Sequence, residues 1–399
     1  MAGNYNISLV FLFFISAYAM GYDLKQVLIF SRHNIRAPLS SNLNYLSNNT
    51  WPTWSVEPGF LTAKGALLEG FIGNYVSNWL VKKGLLPTKC PDPKSVHIYA
   101  NTKQRTRETA KAFVEGAFQN CNITVYSKNS SKMDPIFNPI IRNISQELKS
   151  IIVNEMQQKL NSLNLRNAYS KLNEIVDLKH AEVCKVDHVC DFMKAKDDIV
   201  YEIGEEPNIR GPLALTNSIV DSFIMSYYEG MQLHDVAWGQ MEYPKEWKLF
   251  TRIARGNLDV RFNSTILAKE VAKPLLQNIY NVLKKDESPK FTLLVGHDAN
   301  LNSLMAAISF KPYVLPEQDE LTPLGGKLVF QKWYDGKNNK NLLKTEYIYQ
   351  TVSQLRNGEM LSDSNPPRRV TMEIKNCDVD DEGFCQWDDF MAILKSSFQ

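Results

Sequence analysis

"LIFSRHNIRAPLS", Leu28–Ser40, sets a histidine between two arginines directly after an apolar run. The run, read with the two residues before it as "QVLIFS", has the length and composition of a buried strand. Arg32 and Arg36 stand four positions apart beside His33. Two cations held against an imidazole repel each other unless an anion lies among them. The stretch therefore predicts a strand that delivers a charged loop into an anion-binding pocket.

Three more apolar runs read as strands: "VHIYA" at Val96–Ala100, "FTLLVG" at Phe291–Gly296 and "KLVFQKW" at Lys327–Trp333. The last is followed by "DGKNNKN", a hairpin turn signal, and by "YIYQTV", which predicts an antiparallel edge on an otherwise parallel sheet. Helical patterns lie between these runs, among them "TAKGALLEGFIGNYVSNWLVKKG", which stops at Gly84. Residues 138–261 read as mostly helical, with no convincing strand pair. The expected architecture is α/β: a mainly parallel central sheet flanked by helices, formed by 23–137 and 262–399, with 138–261 as an inserted helical cap domain.

The second and third strands end as the first one does. "VHIYA" runs into "NTKQRTRETA" with Arg105, and "FTLLVG" ends at Gly296-His297-Asp298. In open α/β sheets ligands bind beyond the carboxyl ends of the strands. Arg32, His33, Arg36, Arg105, His297 and Asp298 are thus expected in one pocket. Three planar guanidinium forks match a phosphate dianion in geometry and charge. Arg107 is an alternative to Arg105 within one helical turn. His97 reads as a packed strand residue, and His234-Asp235 as a structural or cap-contact pair, since it follows a helix and not a buried strand.

The 399 residues suffice for a large core, and a formal net charge of +2 gives no field that would mark a nucleic-acid binder. Residues 1–22 contain "ISLVFLFFISAYAM", too short to span a bilayer comfortably and ending near a small-x-small site at Ala17–Ala19; they read as a cleavable signal peptide without the usual basic start. No later run reaches transmembrane length, so a secreted or periplasmic protein with no membrane contact after cleavage is expected. Six cysteines are then compatible with three disulfides. Among fifteen connectivities, pairing of sequence neighbours is chosen: Cys90–Cys121, Cys184–Cys190 and Cys377–Cys385. "HAEVCKVDHVC" holds two His and two Cys and could ligate zinc, but an oxidising compartment favours the disulfide. Sequons at Asn48, Asn122, Asn129, Asn143 and Asn263 are about the number that chance supplies.

Arg-His-x-x-Arg-x-Pro after the first strand, the Arg of "RTRETA", the late His-Asp and "TPLGGKLVFQKW" together resemble the histidine acid phosphatases over nearly the whole mature chain. That family usually has glycine after the histidine. Asn34 resembles instead the bacterial glucose-1-phosphatase branch, as do "VAWGQ" at Val236–Gln240 and "WPTWSVEPGFLTAKG" at Trp51–Gly65. The resemblance implies His33 as the nucleophile, Asp298 as the proton donor, and Arg32, Arg36, Arg105 and His297 as the phosphate-binding set, with no metal or cofactor required. The implied substrate is a small sugar phosphate; a phytase or broad acid phosphatase is the second reading, and a catalytically weak phosphate-ligand binder the third. Asn34 is expected to narrow the pocket mouth against phytate, the alternative being loop support through a left-handed backbone.

Overall fold

The computed structural model describes residues 21–40, 42–142, 145–285 and 289–399. The proposed leader lies outside these except for Gly21 and Tyr22, and so does the Asn143 sequon. The first strand, β1 (Tyr22–Arg32), begins one residue inside that leader, with Tyr22 paired to Asp335. From Val27 onward β1 is buried on both faces, which suits a run of consecutive apolar residues to a central strand. Val27 and Ile29 join the core on one side of the sheet, Leu28 and Phe30 the core on the other.

Strands β2 (Val96–Ala100), β3 (Val125–Tyr126) and β6 (Phe291–Gly296) complete a parallel half in the order β1-β6-β2-β3. On the other side of β1 lie β7 (Lys327–Asp335) and β8 (Lys340–Tyr349), antiparallel as the turn signal predicts. Two short strands, β9 (Arg368–Thr371) and β10 (Phe384–Gln386), both pair with β8 and widen the antiparallel half beyond the expected hairpin, giving eight strands in all. Helices α1 (Ala63–Lys82) and α2 (Gln104–Ala117) cover one face. The other is covered by α8 (Thr265–Lys284), α9 (Asp298–Ile308) and α11 (Trp387–Ser396).

Between residues 138 and 261 the chain forms α3 (Gln146–Ser162), α4 (Arg166–Ile175), α5 (Glu182–Asp187), α6 (Pro212–Glu229) and most of α7 (Lys245–Phe262). It also contains a strand pair that the sequence did not announce, β4 (Asp198–Val200) with β5 (Asn208–Arg210). Strands of three residues are too short for a visible alternation. Phe223, Tyr228, Trp247, Phe250 and Phe262 centre a third core, which continues into Ile35, Leu68 and Ala299 beside the sheet and into Val352 and Leu355 of α10 (Val352–Asn357). The two tryptophan motifs meet there: Trp51 stands edge-on to Trp238 at 4.7 Å, and Trp238 Nε1 donates to the Thr50 carbonyl at 2.8 Å. All six cysteines pair as sequence neighbours, Cys90–Cys121, Cys184–Cys190 and Cys377–Cys385, so the sulfurs of the zinc-like cluster are joined to each other. No helix among the described residues is long and apolar enough to cross a membrane.

Candidate active site

Strand register brings the site together. Arg32 lies opposite Gly296, and Ala100 opposite Val295, so β1, β6 and β2 end side by side. The His33 amide donates to the Gly296 carbonyl at 3.0 Å, and the rings of His33 and His297 then stand 5.5 Å apart. Gly296 has no room for a side chain: a Cβ would lie 2.6 Å from Phe30 and 2.8 Å from Asn300. Above these strand ends opens a cavity of about 610 Å³ lined by Arg32, His33, Arg36, Arg105, His297 and Asp298. All six residues expected from the sequence are in it. Arg107 is not among the lining residues. His97 packs within the sheet between Tyr99 and Tyr126, and the exposed His234–Asp235 pair lies elsewhere.

His33 is 2% exposed, and its Nδ1 lies 2.8 Å from the Asn34 carbonyl. A carbonyl only accepts, so Nδ1 carries the hydrogen and Nε2 keeps its lone pair. Burial, then Arg105, Arg36, His297 and Arg32, hold the pKa of His33 well below the usual imidazole range. Burial and the surrounding cations favour the neutral ring. Asn101 Oδ1 accepts the amides of Thr102 and Asp134, so Asn101 Nδ2 must donate to His297 Nε2, at 2.8 Å. The Arg105 guanidinium, which only donates, faces His297 Nδ1 at 3.4 Å. Burial and Arg105 keep this ring neutral too.

The arginines differ in how they are held. Arg36 makes a two-bond fork with Asp221 of α6, at 2.8 and 2.9 Å. Arg32 donates to the Thr322 carbonyl at 2.6 Å, pairs with Asp298 at 2.9 Å and reaches Glu320 at 3.5 Å. Burial and the neighbouring Arg36 push Arg105 down to about 10. Each of the three retains a buried Nε–H without a partner among the described residues. Buried donors left without a partner are rare in native structures. Asp298 opens α9 and accepts the Ala299 amide at 2.8 Å. Burial would raise its pKa, but Arg32, Arg36 and that amide outweigh it and bring it to about 2.

Sequence reasoning missed Asp221, Glu320 and the Glu206–Arg261 pair, all lining the same cavity. Their partners lie 55 to 288 positions away along the chain, so no local spacing announces them. Asn34 is a correction. It is fully buried, does not line the cavity, and has no left-handed backbone. Its amide turns beneath the loop and donates to Glu69 at 3.0 Å. It neither narrows the pocket mouth nor meets the ester, and it supports the loop by hydrogen bonds instead.

A mixed sheet with an imidazole and three open guanidinium groups at its carboxyl edge defines an enzyme that handles phosphate esters. The chain belongs to the histidine phosphatase superfamily, branch 2, whose family model matches residues 23–194. It is similar to a glucose-1-phosphatase of Salmonella typhimurium, with 44% identity over 94% of this chain and 93% of the relative. A glucose-1-phosphatase of Providencia rettgeri is 40% identical, over 94% and 92% of the two chains. Among solved structures, Hafnia alvei phytase in complex with myo-inositol hexakis sulphate superposes with a TM-score of 0.86 at 27% identity, covering 95% of this chain and 98% of that one.

Proposed function

We propose that the protein is a secreted or periplasmic acid phosphatase that hydrolyses phosphate monoesters of small sugars through a phosphohistidine at His33. The observation that carries this reading is the His33 tautomer: its Nδ1–H is committed to the Asn34 carbonyl, and Nε2 is left with a lone pair in a cavity of unfilled guanidinium donors. Nε2 attacks phosphorus, the phosphorus–ester oxygen bond breaks, and the departing oxygen takes a proton from Asp298. Water then attacks the phosphohistidine, Asp298 takes its proton, and His33 is regenerated. Arg32, Arg36, Arg105 and His297 receive the charge on the equatorial oxygens.

Asp298 is ionised in the ligand-free site. A bound phosphoryl group brings negative charge beside Arg32 and Arg36 and so weakens their hold on the carboxylate. Near or below about pH 6 a monoester also carries a proton of its own that can pass to Asp298. Both effects favour work in acid. Residues 138–261 serve as a cap domain over a sheet domain made of 23–137 and 262–399. The cavity wall carries Glu206, Asp221, Asp259 and Glu320 beside Arg252, Arg255 and Arg261, with Asn217, Ser218 and Asn302. Such a mixture suits a neutral, hydroxyl-rich alcohol better than a polyanion, which favours the sugar-phosphate reading over phytate. Three disulfides and the apolar leader in the sequence support export.

The test is an acid-quenched reaction of the mature protein with labelled substrate, followed by peptide mapping, and a panel of glucose 1-phosphate, glucose 6-phosphate, phytate and an aryl phosphate. Acid-labile label on His33, absent in His33→Ala, and preference for a hexose phosphate are expected. Label on another residue sinks the nucleophile assignment.

A further inference from the structure

The loop that carries His33 rests on a buried ion pair that does not line the cavity. Glu69 of α1 and Lys327 of β7 are both fully buried and meet at 2.7 Å. Lys327 uses its other two donors on Ser31 Oγ at 2.8 Å and the Gly325 carbonyl at 3.2 Å. The second oxygen of Glu69 accepts from Asn34 Nδ2 at 3.0 Å. Asn34 Oδ1 in turn accepts the Ile35 amide at 2.9 Å, and its own amide donates to Thr109 Oγ1 at 3.2 Å. The peptide unit joining Asn34 to Ile35 is therefore gripped at both ends. Its N–H is held by the Asn34 side chain, and its C=O holds His33 Nδ1–H at 2.8 Å. Gly325, with φ +66, passes so close that a Cβ there would lie 2.5 Å from Asn34 Nδ2.

The geometry points to Asn34, Glu69 and Lys327 as a positioning network that fixes the tautomer and aim of His33 from beneath the loop. The inference rests on His33 being the nucleophile. Lys327 orients Glu69, Glu69 orients the Asn34 amide, and that amide locks the carbonyl on which the His33 tautomer depends. Removing the acceptor from Asn34 lets the peptide unit rotate and lets His33 place its hydrogen on Nε2, where no lone pair remains for attack. Chemistry slows while phosphate binding, which uses the arginines, is unaffected.

A single substitution strands a buried charge, so two paired variants carry the test. Glu69→Leu with Lys327→Met removes both charges and the acceptor for Asn34; Glu69→Gln with Lys327→Met removes the charges and keeps an acceptor. The readouts are the rapid-quench rate of His33 phosphorylation by an aryl phosphate, affinity for inorganic phosphate, and the ¹⁵N shifts of His33, assigned with His33→Gln. The Leu/Met pair should lose at least about tenfold in phosphorylation rate, with phosphate affinity within about twofold and both His33 tautomers populated. The Gln/Met pair should lose less, at most about threefold. A Leu/Met protein with the wild-type rate and a single Nδ1–H tautomer overturns the proposal. If the pairs do not fold, Asn34→Ala, which leaves the ion pair intact, is read in the same way. Should wild type carry no phosphate on His33, the nucleophile reading falls, and the ¹⁵N tautomer still decides whether the network positions the ring.

Discussion

Above and below the His33 loop lie two ion pairs that are built oppositely. Below it, Glu69 and Lys327 are sealed, with all three lysine donors and both carboxylate oxygens engaged. Above it, Arg32 and Asp298 open to a cavity, and Arg32, Arg36 and Arg105 each keep a buried donor without a partner. A saturated pair has nothing left to offer a ligand and can only hold a shape. An unsaturated one is costly until something fills it. The position of each pair relative to one loop separates groups that keep capacity for a ligand from groups that only steady the loop carrying His33.

The largest effect belongs above the loop. Asp298→Asn should cut turnover of glucose 1-phosphate by about 10²–10⁴-fold, as loss of a general acid does, and that of an aryl phosphate far less. Equal losses on the two substrates, measured as kcat, would make Asp298 a merely structural partner of Arg32.

Below the loop the expected loss is one of stability. Lys327→Met alone leaves the Glu69 carboxylate buried and should cost about 3–5 kcal/mol in urea unfolding, whereas adding Glu69→Leu should recover most of it. A single variant as stable as wild type would mean that water reaches the pair.

A smaller stability effect tests the upper pair. The folded pKa of Asp298, about 2, lies below the unfolded value near 3.8. Its contribution is therefore complete above pH 4 and disappears as pH falls through about 2. Asp298→Asn should lower unfolding free energy by about 2 kcal/mol at pH 6 and by only a small fraction of that at pH 2. A pH-independent difference would show that Arg32 gains nothing from the charge.

The smallest expected effect is none. With Asn34 turned away from the cavity, Asn34→Gly should leave the ratio of phytate to sugar-phosphate activity unchanged, even as absolute rates fall. A shifted ratio in a substrate panel would mean that the loop reaches further into specificity than its contacts imply.

The upper side was legible in the sequence and the lower side was not. Arg32 ends an apolar strand, His33, Arg36, Arg105, His297 and Asp298 each follow within five residues of one, and strand ends in an open α/β sheet converge. Lys327 and Glu69 carry no such mark. One sits at the start of a strand and reads as a solvated edge residue; the other is one charge in a long amphipathic helix. Asp221 is hidden for the same reason, since its fork with Arg36 spans 185 positions. Polar residues that find one another only through tertiary packing leave no periodicity behind. The strands that escaped notice, β3, β4, β5, β9 and β10, have two to four residues each, too few for alternation to register.

The place of β6 in the sheet has a consequence for synthesis. Its residues, 291 to 296, lie between β1 and β2 and pair with both. A growing chain of 290 residues has both neighbours and lacks the strand that joins them, and each presents an open edge. It also lacks His297 and Asp298, which follow β6 directly. Such a chain has no assembled phosphate pocket, because the sheet closes only when the late strand enters its middle. Entry of β6 between its neighbours and delivery of His297 and Asp298 to the strand ends are then one event, with β7 to β10 still to be added on the far side of β1.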